Sequence, residues 1–314
     1  MDLTLLFVPL ALLAGGLLNV QASSNLQLRT ATGSSLAAST LQLGVGTVVL
    51  LVLTLLAGAI GSLGLLAGIP WWHLLGGLGS AVYITATILL FPRLGAVVSV
   101  GLFIVGQMAA SLALDLIGLL GVARRPVGFG DVAGALAVVL AAAVIVRSQE
   151  GSSSSGVGQR SQAGRAGWVL LGVVAGAALP VQGAVNALLR TDLGAPIAAG
   201  TTSFVVATLA MLLVLVPAVA LGSEPRPNVR PLTRVPWWGW LGGICGAVYV
   251  TSVFTALPVL GAALVVGLTV AGQQVIAVLF DRYGLMGLPR RPVTVPRLVG
   301  ISLLLVGVAL IQFG

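Results

Sequence analysis

Two carboxamide pairs stand out, Gln21/Asn25 and Gln182/Asn186, each embedded in an apolar run. Their i, i+4 spacing puts both side chains of a pair on one helical face. Such groups can hydrogen-bond a polar solute as a cavity wall, or join neighbouring helices as interhelical glue. A second carboxamide follows glycine twice, in Gly106-Gln107 and Gly272-Gln273. Two tyrosines, Tyr83 and Tyr249, offer a hydroxyl and a ring face to a ligand, or pack with a satisfied hydroxyl. Asp115 and Asp281 are the only acids in matching contexts. An acid within a span is a candidate for ion coupling, although nearby Arg124, Arg125 and Arg282 also allow an ion pair or loop anchor. His73 adjoins Trp71 and Trp72, which read as an interfacial belt with a surface histidine beside it. One His and one Cys cannot form a metal cluster or a catalytic set. No phosphate-binding glycine loop occurs. These residues predict binding and movement of a solute, with no enzyme activity, cofactor or metal.

The elements that position them follow from composition. Of 314 residues, 58% are hydrophobic and 7% are charged, and the mean hydropathy is +1.13. A soluble chain carries about 25% charged residues, so soluble and disordered classes are excluded. The net charge of +8 comes from arginines dispersed over loops, which does not suit nucleic acid and does suit membrane orientation. Apolar runs fall at 3–22, 35–58, 71–91, 95–116 and 128–146, then at 167–189, 195–221, 237–257, 261–280 and 296–313. They are too uniformly apolar for barrel strands and must be helices in lipid. The expected fold is all-α integral membrane, with ten transmembrane helices.

The two sets of five are copies. Residues 70–127 align with 236–293 at a constant offset of 166, with 27 of 58 positions identical. Chance matching of apolar residues does not account for Trp71/Trp237, Tyr83/Tyr249, Gln107/Gln273 and Asp115/Asp281. The first spans align at an offset of 161, where Gln21, Asn25 and Arg29 match Gln182, Asn186 and Arg190. The units are 1–147 and 167–314, joined by a Gly/Ser-rich linker at 148–166. An odd number of spans per copy makes the second enter the membrane from the opposite side, giving two inverted five-helix repeats. The arginines divide twelve to three between the loop sets this topology defines. That bias places the linker in the cytoplasm and both termini outside the cytoplasmic membrane.

The pattern PWW, GG, AVYxT, P, LGA, GQ, D and GL, present once per unit, resembles the YdcZ-like family of the drug/metabolite transporter superfamily. The resemblance covers nearly the whole chain twice, as a fused tandem form. It implies ten helices around a central cavity and alternating access. The expected function is secondary transport of a small solute, with Gln21, Asn25, Gln107, Gln182, Asn186, Gln273, Tyr83 and Tyr249 as lining. The alternative is a non-transporting scaffold or lipid-handling membrane protein. Partners are the solute and membrane lipid, and either a monomer or a homodimer is compatible with the sequence.

Overall fold

The computed structural model describes residues 3–94, 96–126, 128–150, 162–287 and 295–313. Among these, every regular element is helical. The first copy forms α1 (Leu3–Thr32), α2 (Ser35–Leu56), α3 (Leu78–Leu94), α4 (Ala96–Ile117) and α5 (Phe129–Glu150). The second forms α6 (Gln162–Leu193), α7 (Pro196–Ala220), α8 (Leu241–Leu260), α9 (Ala262–Tyr283) and α10 (Val295–Phe313). Seven described stretches are long and apolar enough to cross a membrane: Leu6–Thr32, Ser35–Leu56, Ser99–Ile117, Ala166–Leu193, Pro196–Ala220, Trp237–Leu260 and Ala262–Phe280. The chain is an integral membrane protein built of helices.

Several boundaries differ from the apolar runs. α1 and α6 extend to Thr32 and Leu193, ten and four residues past the runs, because backbone hydrogen bonding continues through polar residues such as Gln27 and Thr191 where the apolar pattern stops. Each is closed by a left-handed glycine, Gly33 (φ 72°) and Gly194 (φ 61°), the conformation that caps a helix without steric cost. The segments after Pro70 and Pro236 begin as 3-10 turns, Trp71–Gly77 and Trp237–Trp240, before α3 and α8 start. Another 3-10 segment, Ala59–Gly68, occupies what reads as a loop. Residues 151–161 of the linker lie outside the described residues, while α5 and α6 reach into its two ends.

The two copies are interleaved. α1 packs against α8 and α9, and α6 packs against α3 and α4, so each copy's first helix lies on the other's third and fourth. α2 pairs with α7, and α5 with α10. Lipid supplies no hydrophobic force between helices, so close approach depends on small residues. A Cβ on Gly106 of α4 would land on the carbonyl oxygen of Val173 in α6, and one on Gly176 of α6 on that of Phe103 in α4. The α1–α9 crossing repeats this with Gly272 against Leu12 and Gly15 against Thr269. Gly106 and Gly272 are equivalent in the two copies, as are Gly15 and Gly176.

Loop bonds distinguish two ends of the bundle. At one, which we call the α1–α2 end, Ser34 Oγ donates to Glu224 Oε1 (2.6 Å) and Asn228 N to Thr32 O (3.0 Å). At the other, the α2–α3 end, His73 pairs with Asp192, and Arg125 bonds carbonyls of the α8–α9 junction.

Candidate functional site

The first-helix carboxamides face across the copies. Gln182 Oε1 accepts from Ser80 Oγ of α3 (3.0 Å), and the Gln21 amide lies against Gly246 of α8, the position equivalent to Ser80. Asn186 is fully buried, and its Nδ2 donates to Ser203 Oγ of α7 (3.0 Å). Its Oδ1 rests against Gly76, where any Cβ would collide with it. Asn25 Nδ2 reaches Ser39 Oγ of α2 (3.5 Å). The amide oxygens of both asparagines are buried without a hydrogen-bond partner. In this conformation Gln182 and Asn186 join helices. Pro180 lies inside α6 without ending it, because the ring sits within a helix that continues to Leu193.

The Gly-Gln motif divides its work between its two residues. Gly106 and Gly272 are the contact points of the α4–α6 and α1–α9 crossings, so the next residue is held at a fixed rotation beside each crossing. Gln107 is 7% exposed, and Gln273 is half-buried. Asn19 Nδ2 of α1 donates to the Gln273 carbonyl (2.8 Å). Nothing in the sequence connects Asn19 with that carbonyl, which lies 254 positions away.

Tyr83 and Tyr249 are equivalent positions on α3 and α8. Tyr249 is buried and Tyr83 half-buried, and the Tyr83 ring sits 4.8 Å from that of Phe103 at 53°. Thr251 and Thr255, four residues apart on α8, hold buried hydroxyls without partners. Thr255 was not legible as a site residue, since its counterpart in the first copy is Leu89. α2 and α7 are joined by Thr47 and Thr208, equivalent at the 161 offset, which share a 2.9 Å hydroxyl bond.

Of the two structural alternatives for Asp115, ion pair and loop anchor, its bonds fit the anchor. The residue is 5% exposed, and its two oxygens accept from the N–H groups of Ala262 (2.8 Å) and Ala263 (2.7 Å). The carboxylate therefore caps the N-terminus of α9, where negative charge is favoured. Arg125 completes the junction by donating to Leu260 O (2.8 Å) and Val259 O (3.0 Å) at the end of α8. Between them Gly261 has φ 85°, and its absent Cβ leaves room for the guanidinium. A cleft at this point is lined by Asp115, Arg125, Asp131 and Leu264. The backbone of Asp281 belongs to α9, but its side chain lies outside the described residues. His73 is displaced from expectation. It is buried and contacts Asp192, while Trp71 and Trp237 are well exposed, as an interfacial belt requires. No group of three metal-binding side chains occurs among the described residues.

Comparison with known proteins places this architecture. A solved crystal structure, described only as "Crystal structure of protein", matches with a TM-score of 0.63 at 18% identity, over 98% of this chain and 95% of that one. No curated protein matches the sequence. The family model described as "Putative inner membrane exporter, YdcZ" matches residues 6–144 and again 167–310. Two copies of one family unit thus account for most of the chain, and the protein belongs to the YdcZ family of drug/metabolite transporters as a tandem form.

Proposed function

We propose that the protein is a secondary transporter that moves a small solute across the cytoplasmic membrane by alternating access, through two inverted five-helix repeats. The observation that carries this reading is a set of buried polar atoms without hydrogen-bond partners, Oδ1 of Asn25 and Asn186 and the hydroxyls of Thr251 and Thr255. Unpaired polar groups inside an apolar bundle are what a solute site at a repeat interface supplies. Gln107 and Gln273 add to the lining from α4 and α9, held by the glycine crossings beside them, with Tyr83 and Tyr249 on α3 and α8. Gln21, Asn25, Gln182 and Asn186 form the outer part of the lining. Asn25, Gln182 and Asn186 bond neighbouring helices in this state and exchange partners when the bundle rearranges. The orphan oxygens of Asn25 and Asn186 supply acceptors for such an exchange.

The inverted topology is supported by the exchange of packing partners between copies and by the loop bonds. Residues 32–34 meet 224–228 at one end, and residues 115–125 meet 259–263 at the other. Ten alternating crossings put these segments on shared sides. The arginine bias then makes the α1–α2 end cytoplasmic. Asp115 enters this reading as a helix cap, and ion coupling at Asp115 or Asp281 would require groups beyond the α9 N-terminus to take up its charge. A scaffold role would not require paired polar residues at the repeat interface.

A thermal-shift screen of purified protein against small metabolites tests the site, because a ligand bound only by the native state raises its melting temperature. The expected hit disappears in the Gln107→Ala/Gln273→Ala variant. A hit retained at full strength in that variant removes these two residues from the site.

A further inference from the structure

The contact between His73 and Asp192 belongs to neither the substrate lining nor the repeat pattern. His73 lies in the 3-10 turn before α3, and Asp192 in the last turn of α6. The pair therefore ties the first copy to the second at the α2–α3 end. The equivalent positions are Gly239 and Ala31, so the opposite end cannot form it. The asymmetry is a property of this chain's two halves.

The surroundings isolate the pair. The turn holding His73 packs against α3, α6 and α7. α7 has no titratable residue, and Ala59–Gly68 beside it has none. On α6 the other charged group at this end is Arg190, whose guanidinium is directed to Thr255 O of α8 (3.4 Å). Arg165 and the α3 arginine, Arg93, lie toward the opposite ends of their helices. Within the turn, the Trp72 ring stands edge-on to the imidazole at 3.9 Å. Tyr83 is the remaining titratable group on α3, nearly three helical turns further along the chain. Asp192 is thus the one acid facing His73 from the elements packed on it.

We propose that His73 and Asp192 form a proton-dependent latch that holds the α2–α3 end closed, and that acidity on that side favours the conformation open at the other end. The inference rests on the alternating-access reading. Imidazole is the side chain whose ordinary protonation falls between about pH 5 and 8. When protonated it forms an ion pair with the carboxylate. When pH rises and the proton is lost, the charge attraction goes and the end opens more readily. A partly exposed pair contributes modestly, so the closed fraction changes ~2- to 5-fold, the equivalent of ~0.5–1 kcal/mol.

The test uses the full chain in lipid nanodiscs with Cys245→Ala removing the native thiol. Spin labels at Leu65 and Thr191, both exposed, report the α2–α3 end by pulsed electron-spin distance measurement. Labels at Thr30 and Val229 report the opposite end. The expected result is a long-distance population at residues 65 and 191 that rises ~2- to 5-fold between about pH 5.5 and pH 8. His73→Gln removes this dependence, and Asp192→Asn does so with the imidazole still present. Identical distances at both pH values, or a dependence that survives both variants, overturns the latch. If the Thr30/Val229 pair still samples two distances, only the latch has failed. If neither pair ever does, the alternating-access reading has failed with it.

Discussion

Asp115→Ala tests whether this acid acts as a helix cap. The substitution removes the acceptor for two buried N–H groups, those of Ala262 and Ala263. An orphaned buried donor costs about 1–3 kcal/mol, and loss of an N-cap in proteins costs ~0.5–2 kcal/mol. Two such donors together cost about 2–6 kcal/mol, and the cap figure describes the same bonds and is not added. Asp115→Asn keeps one acceptor oxygen and the shape, and should cost roughly half as much. Thermal unfolding in detergent gives the global effect. Amide exchange at Ala262 and Ala263 gives the local one, with at least ~10-fold faster exchange in Asp115→Ala for each ~1.4 kcal/mol of lost protection. The ordering wild type, Asn, Ala in both readouts supports the cap. Unchanged exchange at 262 and 263 in Asp115→Ala would refute it. An Asn variant that is stable yet inactive in transport would show instead that the carboxylate's charge is used in coupling.

Other outcomes follow from the packing. Gly106→Ala and Gly272→Ala place a methyl on a backbone carbonyl and should destabilise by ~1–3 kcal/mol, whereas Gly61→Ala, with open space around it, should be neutral in the same melting assay. Thr47→Val and Thr208→Val should show a coupling of about 0.6 kcal/mol in a double-mutant cycle of unfolding, the typical worth of an interhelical hydrogen bond in a membrane protein. A reporter fused at residue 155 should read cytoplasmic in a topology assay, and an extracytoplasmic reading would reverse the orientation.

The repeats were legible because equivalent residues carry the same polar types at constant offsets, and polar residues in apolar runs are few. The helices were legible because lipid leaves the backbone no alternative. The 3-10 turns after Pro70 and Pro236 were hidden, since apolarity does not distinguish one helical winding from another. The polarity of Gln182 and Asn186 was plain, but their partners, Ser80 and Ser203, are ordinary serines whose proximity only the tertiary packing reveals. Asp115 invited an ion-coupling reading because its ligands are backbone groups 147 and 148 positions away. His73 was read as a surface residue because nothing in sequence connects it with Asp192, 119 positions on. Composition locates polar groups, whereas their burial depends on which copy's helix lies opposite.

The central claim is movement of a solute through a site at the repeat interface. The most direct measurement is counterflow in proteoliposomes, using a radiolabelled solute identified by thermal shift. The account predicts accumulation of label by wild type and none by the Gln107→Ala/Gln273→Ala variant reconstituted at equal density. Equal accumulation by both would contradict that site, and binding without counterflow by wild type would contradict transport.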